Sequence, residues 1–306
     1  SWHGPSRGHE IVLLRAPRNE RMSMNGEATR ATPRRLAFLA EQFEELYRCY
    51  NRPEFVDPDP VSVVRGFTDI LDREVAGLIA SSLAYGRASQ IVKSARRVLD
   101  KMLGSPRSFL LEMGDRAIAE VCEGFRHRFT DSRDLLELLL SARKALREWG
   151  SLENLFTSGI HRSSEKVLGG LASLSGELRS SSTVRNNTLL PDPSLGSACK
   201  RYHLFLKWMV RRDPIDPGGW ECIAPADLMI PLDTHMHRIC SGLGLVTRKS
   251  ADLQAVIEAT RSFRVICPED PARYDFALTR FGIRGDLEME DLLDPLRQHR
   301  SRYNPR

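Results

Sequence analysis

Apolar residues recur three and four positions apart along most of the chain, and the strict alternation of a half-buried strand is nowhere sustained. Leu36, Leu39, Phe43, Leu46 and Tyr47 form the first helical stripe, opened by Thr32 before Pro33, a capping hydroxyl ahead of a proline at the first helical position. A proline-rich break from Pro53 to Pro60 follows. Val75, Leu78, Ile79, Ser82 and Leu83 then form one buried stripe, and Ile91, Ala95, Val98 and Met102 another, with Tyr85-Gly86-Arg87 between them. This predicts two helices meeting at a glycine turn. Asp131 or Ser132 caps a leucine-rich helix that presents Leu135, Leu138, Leu139, Ala142, Leu146 and Trp149 to a core and stops at Gly150. Residues 174–198, rich in serine, asparagine and proline, predict a long loop. Helices resume over 198–212, about 234–241, 251–264 and 271–281, the last with Asp270 as cap, Pro271 at its first position and Gly282 as stop. The expected fold class is all-α.

Composition narrows the setting. At 306 residues, with 41% hydrophobic and 28% charged residues, the chain has globular usage and enough length for one large domain or two that pack together. Even the apolar 135–146 stretch carries Glu137, Arg143 and Lys144, so no segment reaches the roughly 18 apolar residues of a membrane span. Lys and Arg number 45 against 40 acidic residues, a net charge of +5 that permits a polyanionic partner and leaves local clustering to decide. The six cysteines are scattered, a pattern that matches neither a disulfide framework nor a zinc knuckle and points to a reducing cytoplasm. The arginine-rich residues 1–31, broken by Pro5, Gly8 and Pro17, lack the apolar core of a secretory signal and are expected to form a disordered leader, with Met22 and Met24 as alternative starts.

Two segments carry candidate chemistry. Gly196-Ser197-Ala198-Cys199-Lys200-Arg201 is a glycine turn opening an amphipathic helix whose Tyr202, Phe205, Leu206 and Met209 face inward. Lys200, Lys207 and Arg211 share the opposite side, and a positive helix terminus with three cations on one face suits a phosphodiester backbone; a plain solvated face is the alternative. Farther on, Pro231-Leu232-Asp233-Thr234-His235-Met236-His237-Arg238 reads as a helix start, with Asp233 as an N-cap or as a functional carboxylate. Asp233-x-His235-x-His237 would put both histidines on one side of a strand and bind a cation; in a helix residues two apart diverge, so no metal is expected. His235 is then a structural hydrogen-bonding group near the cap, and His237 an exposed one. Trp220, in the Pro217-Gly218-Gly219 loop, is a candidate exposed contact.

Gly196-x-Ala198-x-Lys200, followed downstream by Leu232-Asp233-Thr234-His235-x-x-Arg238-Ile239, resembles the signature of the helix-hairpin-helix DNA glycosylase superfamily, to which endonuclease III and the archaeal 8-oxoguanine glycosylases belong. From about residue 35 the chain also resembles a bacterial family catalogued as a conserved domain of unknown function, through Ala84-Tyr85-Gly86-Arg87, Cys199-Lys200-Arg201, Trp208-Met209-Val210-Arg211 and Tyr274-Asp275-Phe276-Ala277.

The first resemblance implies two helical lobes with a cleft between them, residues 32–75 plus 233–306 forming one lobe and 76–232 the other. It implies excision of a damaged or unusual base from double-stranded DNA, with Lys200 as nucleophile and Asp233 as catalytic carboxylate. Gly196, Ser197, Arg201, Lys207, Arg211, Tyr85, Gly86 and Arg87 would bind DNA, and Tyr85 or Arg87 would be the wedge that replaces the flipped base. The chain departs from the pattern where Ala198 replaces the hairpin's second glycine and where Pro191 and Pro193 occupy its first helix, which implies a degenerate hairpin. Only Cys267 lies beyond Cys240, so neither an iron–sulfur cluster nor any other cofactor is expected. A scaffold that binds nucleic acid without cutting, and a metal-dependent hydrolase, remain the alternatives.

Overall fold

Capping side chains set half of the α-helix starts among the described residues. In the computed structural model, which describes residues 31–180, 182–184 and 187–301, Thr32 accepts a hydrogen bond from the Arg35 amide and opens α1 (Pro33–Tyr50). Asp69 accepts from the amides of Leu71 and Asp72 and opens α3 (Ile70–Ser82), behind the single turn α2 (Val61–Val64). Leu83, Ala84 and the Tyr85-Gly86-Arg87 turn lead into α4 (Ala88–Leu99), as the two stripes predict. The leader expected over 1–31 lies, apart from Ala31, outside the described residues.

α5 (Pro106–Glu112) and α6 (Asp115–Cys122) come next, then the only strands among the described residues, β1 (Arg126–His127) and β2 (Thr130–Asp131), which pair antiparallel. Asp131 opens α7 (Ser132–Trp149) through a reciprocal capping box with Asp134, and Gly150, at φ 77°, ends it. α8 (Leu152–Thr157) and α9 (Lys166–Ser180) follow, then α10 (Lys200–Val210), α11 (Thr234–Leu243), α12 (Leu253–Ile266), α13 (Asp275–Ile283) and α14 (Met289–Ser301). The fold is all-α apart from that one small hairpin.

Two sequence expectations need correction. Residues 174–180 are helical rather than loop, because Val167, Leu171, Leu174 and Leu178 form a buried stripe and the intervening glycines and serines permit close packing. A Cβ at Gly170 would lie 2.4 Å from Phe156, and one at Gly169 would lie 2.3 Å from the Gly159 carbonyl oxygen, so the two backbones nearly touch. Tertiary packing there overrides poor helix propensity. The last predicted start also shifts: residues 271–274 form turns, α13 begins at Asp275, and the Asp270 carboxylate binds Arg211 instead of capping.

α3 packs against α2, α4, α5, α8 and α10, and α7 packs against α5, α6, α8 and α9. α13 packs against α1, α11 and α14, with α12 also lying on α1. Among the described residues no helix is long and apolar enough to cross a membrane.

Candidate functional site

Lys200 begins α10, and the chain reaches it through a tight left-handed corner with Gly196 at φ 75° and Cys199 at φ 41°. Its side chain points back toward the end of α3, where Nζ donates to the Ala84 carbonyl at 3.2 Å. Nζ also stands 3.4 Å from Oδ2 of Asp233, 33 residues away in sequence. Asp233 is itself the N-cap of α11, its Oδ1 accepting from the Met236 amide at 2.8 Å. One oxygen of this carboxylate therefore caps a helix, and the other faces the amine.

The pair lies on a cleft of about 370 Å³ between α3, α4, α10, α11 and α13, walled by Pro58–Pro60, Gly86, Arg87, Leu204, Trp208, Pro231, His235, Asp275, Phe276 and Thr279. His235 sits over Gly282, where a Cβ would lie 2.2 Å from Nδ1, so a glycine at 282 makes room for the imidazole. His237 is half-buried and its Nε2 lies 3.0 Å from the Arg248 carbonyl oxygen, so it points away from the wall formed by His235. Among the described residues no group of three or more His, Cys, Asp or Glu could hold a metal ion.

Lys207 and Arg211 do not form the exposed basic face expected of α10; both are about 2% exposed. The Lys207 ammonium lies 3.2 Å from Asp216 and 3.4 Å from Asp275, and Arg211 pairs with Asp213, Asp216 and Asp270. Burial works against the Lys207 charge, but Asp216 and Asp275 outweigh it and hold its pKa above the usual value. Burial likewise opposes charge on Asp213, yet Arg211 and the Asp216 and Ile215 amides bring its carboxyl down to about 2. Buried and neutralised, neither cation can reach a phosphate. The helix turns this side inward because the 213–216 turn and the start of α13 supply a carboxylate for each cation, contacts that a helical-wheel pattern does not contain.

Other predicted residues are distributed around the cleft. Gly86 and Arg87 are exposed on its rim, and Tyr85 stands half-buried behind them. The Arg201 guanidinium donates to the carbonyls of Ser82 and Thr188 and lies 5.6 Å from the Tyr85 ring, so it ties three segments together. Gly196 and Ser197 are exposed, but their backbone is joined to the start of α12, with Leu253 N donating to Gly196 O at 2.9 Å and Ser197 bridged to Asp252. Trp220 is buried rather than exposed, and its indole N–H donates to Glu74 at 3.3 Å.

Asp275 was absent from the expected site although it belongs to a quoted motif. It lines the cleft floor, and burial pushes its carboxyl up to about 6 against the opposing pull of Lys207. No periodicity signals this role, since an aspartate in the first turn of a helix reads simply as an end-of-helix residue.

Fold and site together define an all-α protein with a lysine–aspartate pair on an open cleft. The chain belongs to a family described as Protein of unknown function (DUF2400), whose sequence profile matches residues 59–284 and so contains every wall of that cleft except Pro58. No curated protein and no solved structure matches the chain.

Proposed function

We propose that this chain is a DNA glycosylase-like enzyme that excises a damaged or unusual base, with Lys200 and Asp233 as the reacting groups. The observation that carries the reading is the 3.4 Å approach of these two side chains on one cleft, from the starts of two successive helices, α10 and α11. The cleft volume of about 370 Å³ falls within the usual range of small-molecule pockets, roughly 300–1,000 Å³. The packing of α1 with α12 and α13, and of α3 with α5, α8 and α10, is consistent with two lobes flanking it.

Breaking an N-glycosidic bond moves positive charge onto the sugar while the base departs with the bonding pair and takes up a proton. Oδ2 of Asp233, the oxygen not used in capping α11, would be the one to stabilise that charge. In the bifunctional route Asp233 accepts the Lys200 proton, the freed amine attacks the anomeric carbon as the base leaves, and sugar-ring opening yields an imine. In the monofunctional route a water takes the place of the amine, and Lys200 serves to orient the carboxylate.

A binding-only scaffold is the second reading. It is favoured by the engagement of Lys200 with both Ala84 and Asp233, a pairing that also clamps α3, α10 and α11 together. Borohydride trapping and base release on a panel of lesion-bearing duplexes separate these cases. Wild type should trap or release, Lys200→Gln should lose trapping, and Asp233→Asn should lose both while remaining folded. Tight DNA binding without base release on any lesion would leave the binding-only scaffold standing.

A further inference from the structure

Beside the cleft, the exposed tip of the β1–β2 hairpin packs against the Tyr85-Gly86 turn, Phe129 on the Tyr85 ring and Arg128 beside Gly86. Arg128 occupies the left-handed region at φ 56°, unfavourable for a residue with a side chain, and Phe129 is 63% exposed. Phe129 lies flat on Tyr85, with ring centroids 4.8 Å apart and planes 14° from parallel. Tyr85 is held from behind: its hydroxyl donates to His127 O at 3.1 Å and meets Thr130, while His127 is fixed by Ser94 and by the Tyr85 carbonyl. The result is a rigid two-ring stack projecting from the turn that rims the cleft.

A second cavity, about 290 Å³, opens under the hairpin and is lined by Arg87, Gln90, Ser94, Arg126, His127 and Arg128. No acidic side chain lines it, and among the described residues none of its three arginines makes an ion pair. By contrast Arg211, Arg273 and Arg280 each have a carboxylate. Three exposed guanidinium groups around one hollow raise the local positive potential and offer convergent donors to an anion. Arg87 also belongs to the wall of the Lys200–Asp233 cleft, so the two hollows meet at that residue. Gly86 permits the junction: its φ is 93°, and a Cβ there would lie 2.9 Å from Arg128 Cδ. Exposed Lys93 and Arg96 continue the positive surface along α4.

We infer that this hairpin is the element that grips duplex DNA, with Arg87, Arg126 and Arg128 holding phosphates beside the cleft and Phe129 entering the base stack as the wedge. The inference rests on the glycosylase-like reading of the cleft. A polyanion satisfies the arginines, and an exposed, rigidly backed ring next to a pocket suits a base step being opened toward it. Phe129 takes the wedge role given at first to Tyr85 or Arg87, because the Tyr85 hydroxyl is tied down by the hairpin and Arg87 is placed at the anion hollow.

The test uses the full chain and a short duplex carrying a tetrahydrofuran abasic analogue, with 2-aminopurine as its neighbour, titrated by anisotropy over a salt series. Arg126→Ala with Arg128→Ala should flatten the log-log salt slope by about two, near 0.9 for each phosphate lost. Phe129→Ala should leave the slope unchanged, weaken binding roughly tenfold and remove the rise in 2-aminopurine fluorescence, and Phe129→Trp should restore both. All three side chains are exposed, so these variants keep the fold. An unchanged slope in the double variant, or a Phe129→Ala protein that unstacks the reporter as wild type does, would overturn the inference. Preference of the same arginines for an acidic peptide over the duplex would overturn it in favour of a protein partner. If wild type traps lesions while the hairpin variants bind normally, the hairpin falls and the cleft reading stands. The expected hairpin effects without base release on any lesion would support the hairpin and overturn the cleft reading.

Discussion

Glu74 is fully buried in α3, its carboxylate accepting from the amides of Leu152 and Glu153 and from the Trp220 indole. Burial dominates these three donors and pushes its carboxyl up to about 7. The unfolded chain ionises Glu74 near its ordinary value of 4.5, so between about 4.5 and 7 the folded state holds a proton that the unfolded state has released. Stability from this group is complete below that window and is lost as pH rises through it. Urea unfolding at pH 5 and pH 8 should differ by roughly 2.5 kcal/mol on account of this residue, and Glu74→Gln should remove that difference. A pH dependence unchanged in the variant would show that another group is responsible. Because Gln can accept fewer of the three donors, the readout is the difference between the two pH values and not the absolute stability.

At the scale of an element, α9 offers the same substitution with opposite consequences. Gly170 faces Phe156, where a Cβ would sit 2.4 Å from the ring, whereas Gly176 is exposed with nothing within 4 Å. Both changes to alanine gain helix propensity, about 1 kcal/mol. Gly176→Ala should therefore raise stability by about 0.5–1 kcal/mol, while Gly170→Ala should lower it by about 1–3 kcal/mol through overpacking. Chemical denaturation of the two variants checks both signs, and a stabilised Gly170→Ala would mean that α8 and α9 separate at little cost. The starts of α1, α7 and α11 were legible in sequence, since Thr32, Asp131 and Asp233 cap where their side chains predict. α9 was not, because its small residues signal loop locally and acquire helical value only against Gly159 and Phe156.

For the whole molecule, the buried network of Lys207, Arg211, Asp213, Asp216, Asp270 and Asp275 joins α10 to the turn after it and to the start of α13. Removing one member leaves an opposite charge buried without compensation, a loss of roughly 3–5 kcal/mol. Lys207→Met should therefore lower the unfolding midpoint sharply, and any loss of DNA affinity in that variant should follow the loss of folded protein. Lys93→Ala, on the exposed side of α4, should leave the midpoint within about 0.5 kcal/mol. Parallel thermal melts and salt-dependent titrations compare them. A stable Lys207→Met that binds DNA with a flatter salt slope would restore α10 to the proposed DNA interface.

The amino-acid sequence by itself determined the helical class, the glycine turn after α3 and the placing of Lys200 and Asp233 at helix starts, because these depend on spacing, caps and side-chain types that act within a few residues. Their 3.4 Å approach, the burial of Lys207 and Arg211, the Asp275 floor and the exposed ring of Phe129 were decided only by tertiary structure. A helical pattern separates an apolar face from a polar one. It does not say whether the polar face meets water or a carboxylate from a segment far along the chain, and desolvation joined to that distant partner is what turned an apparent DNA-binding surface into part of the interior.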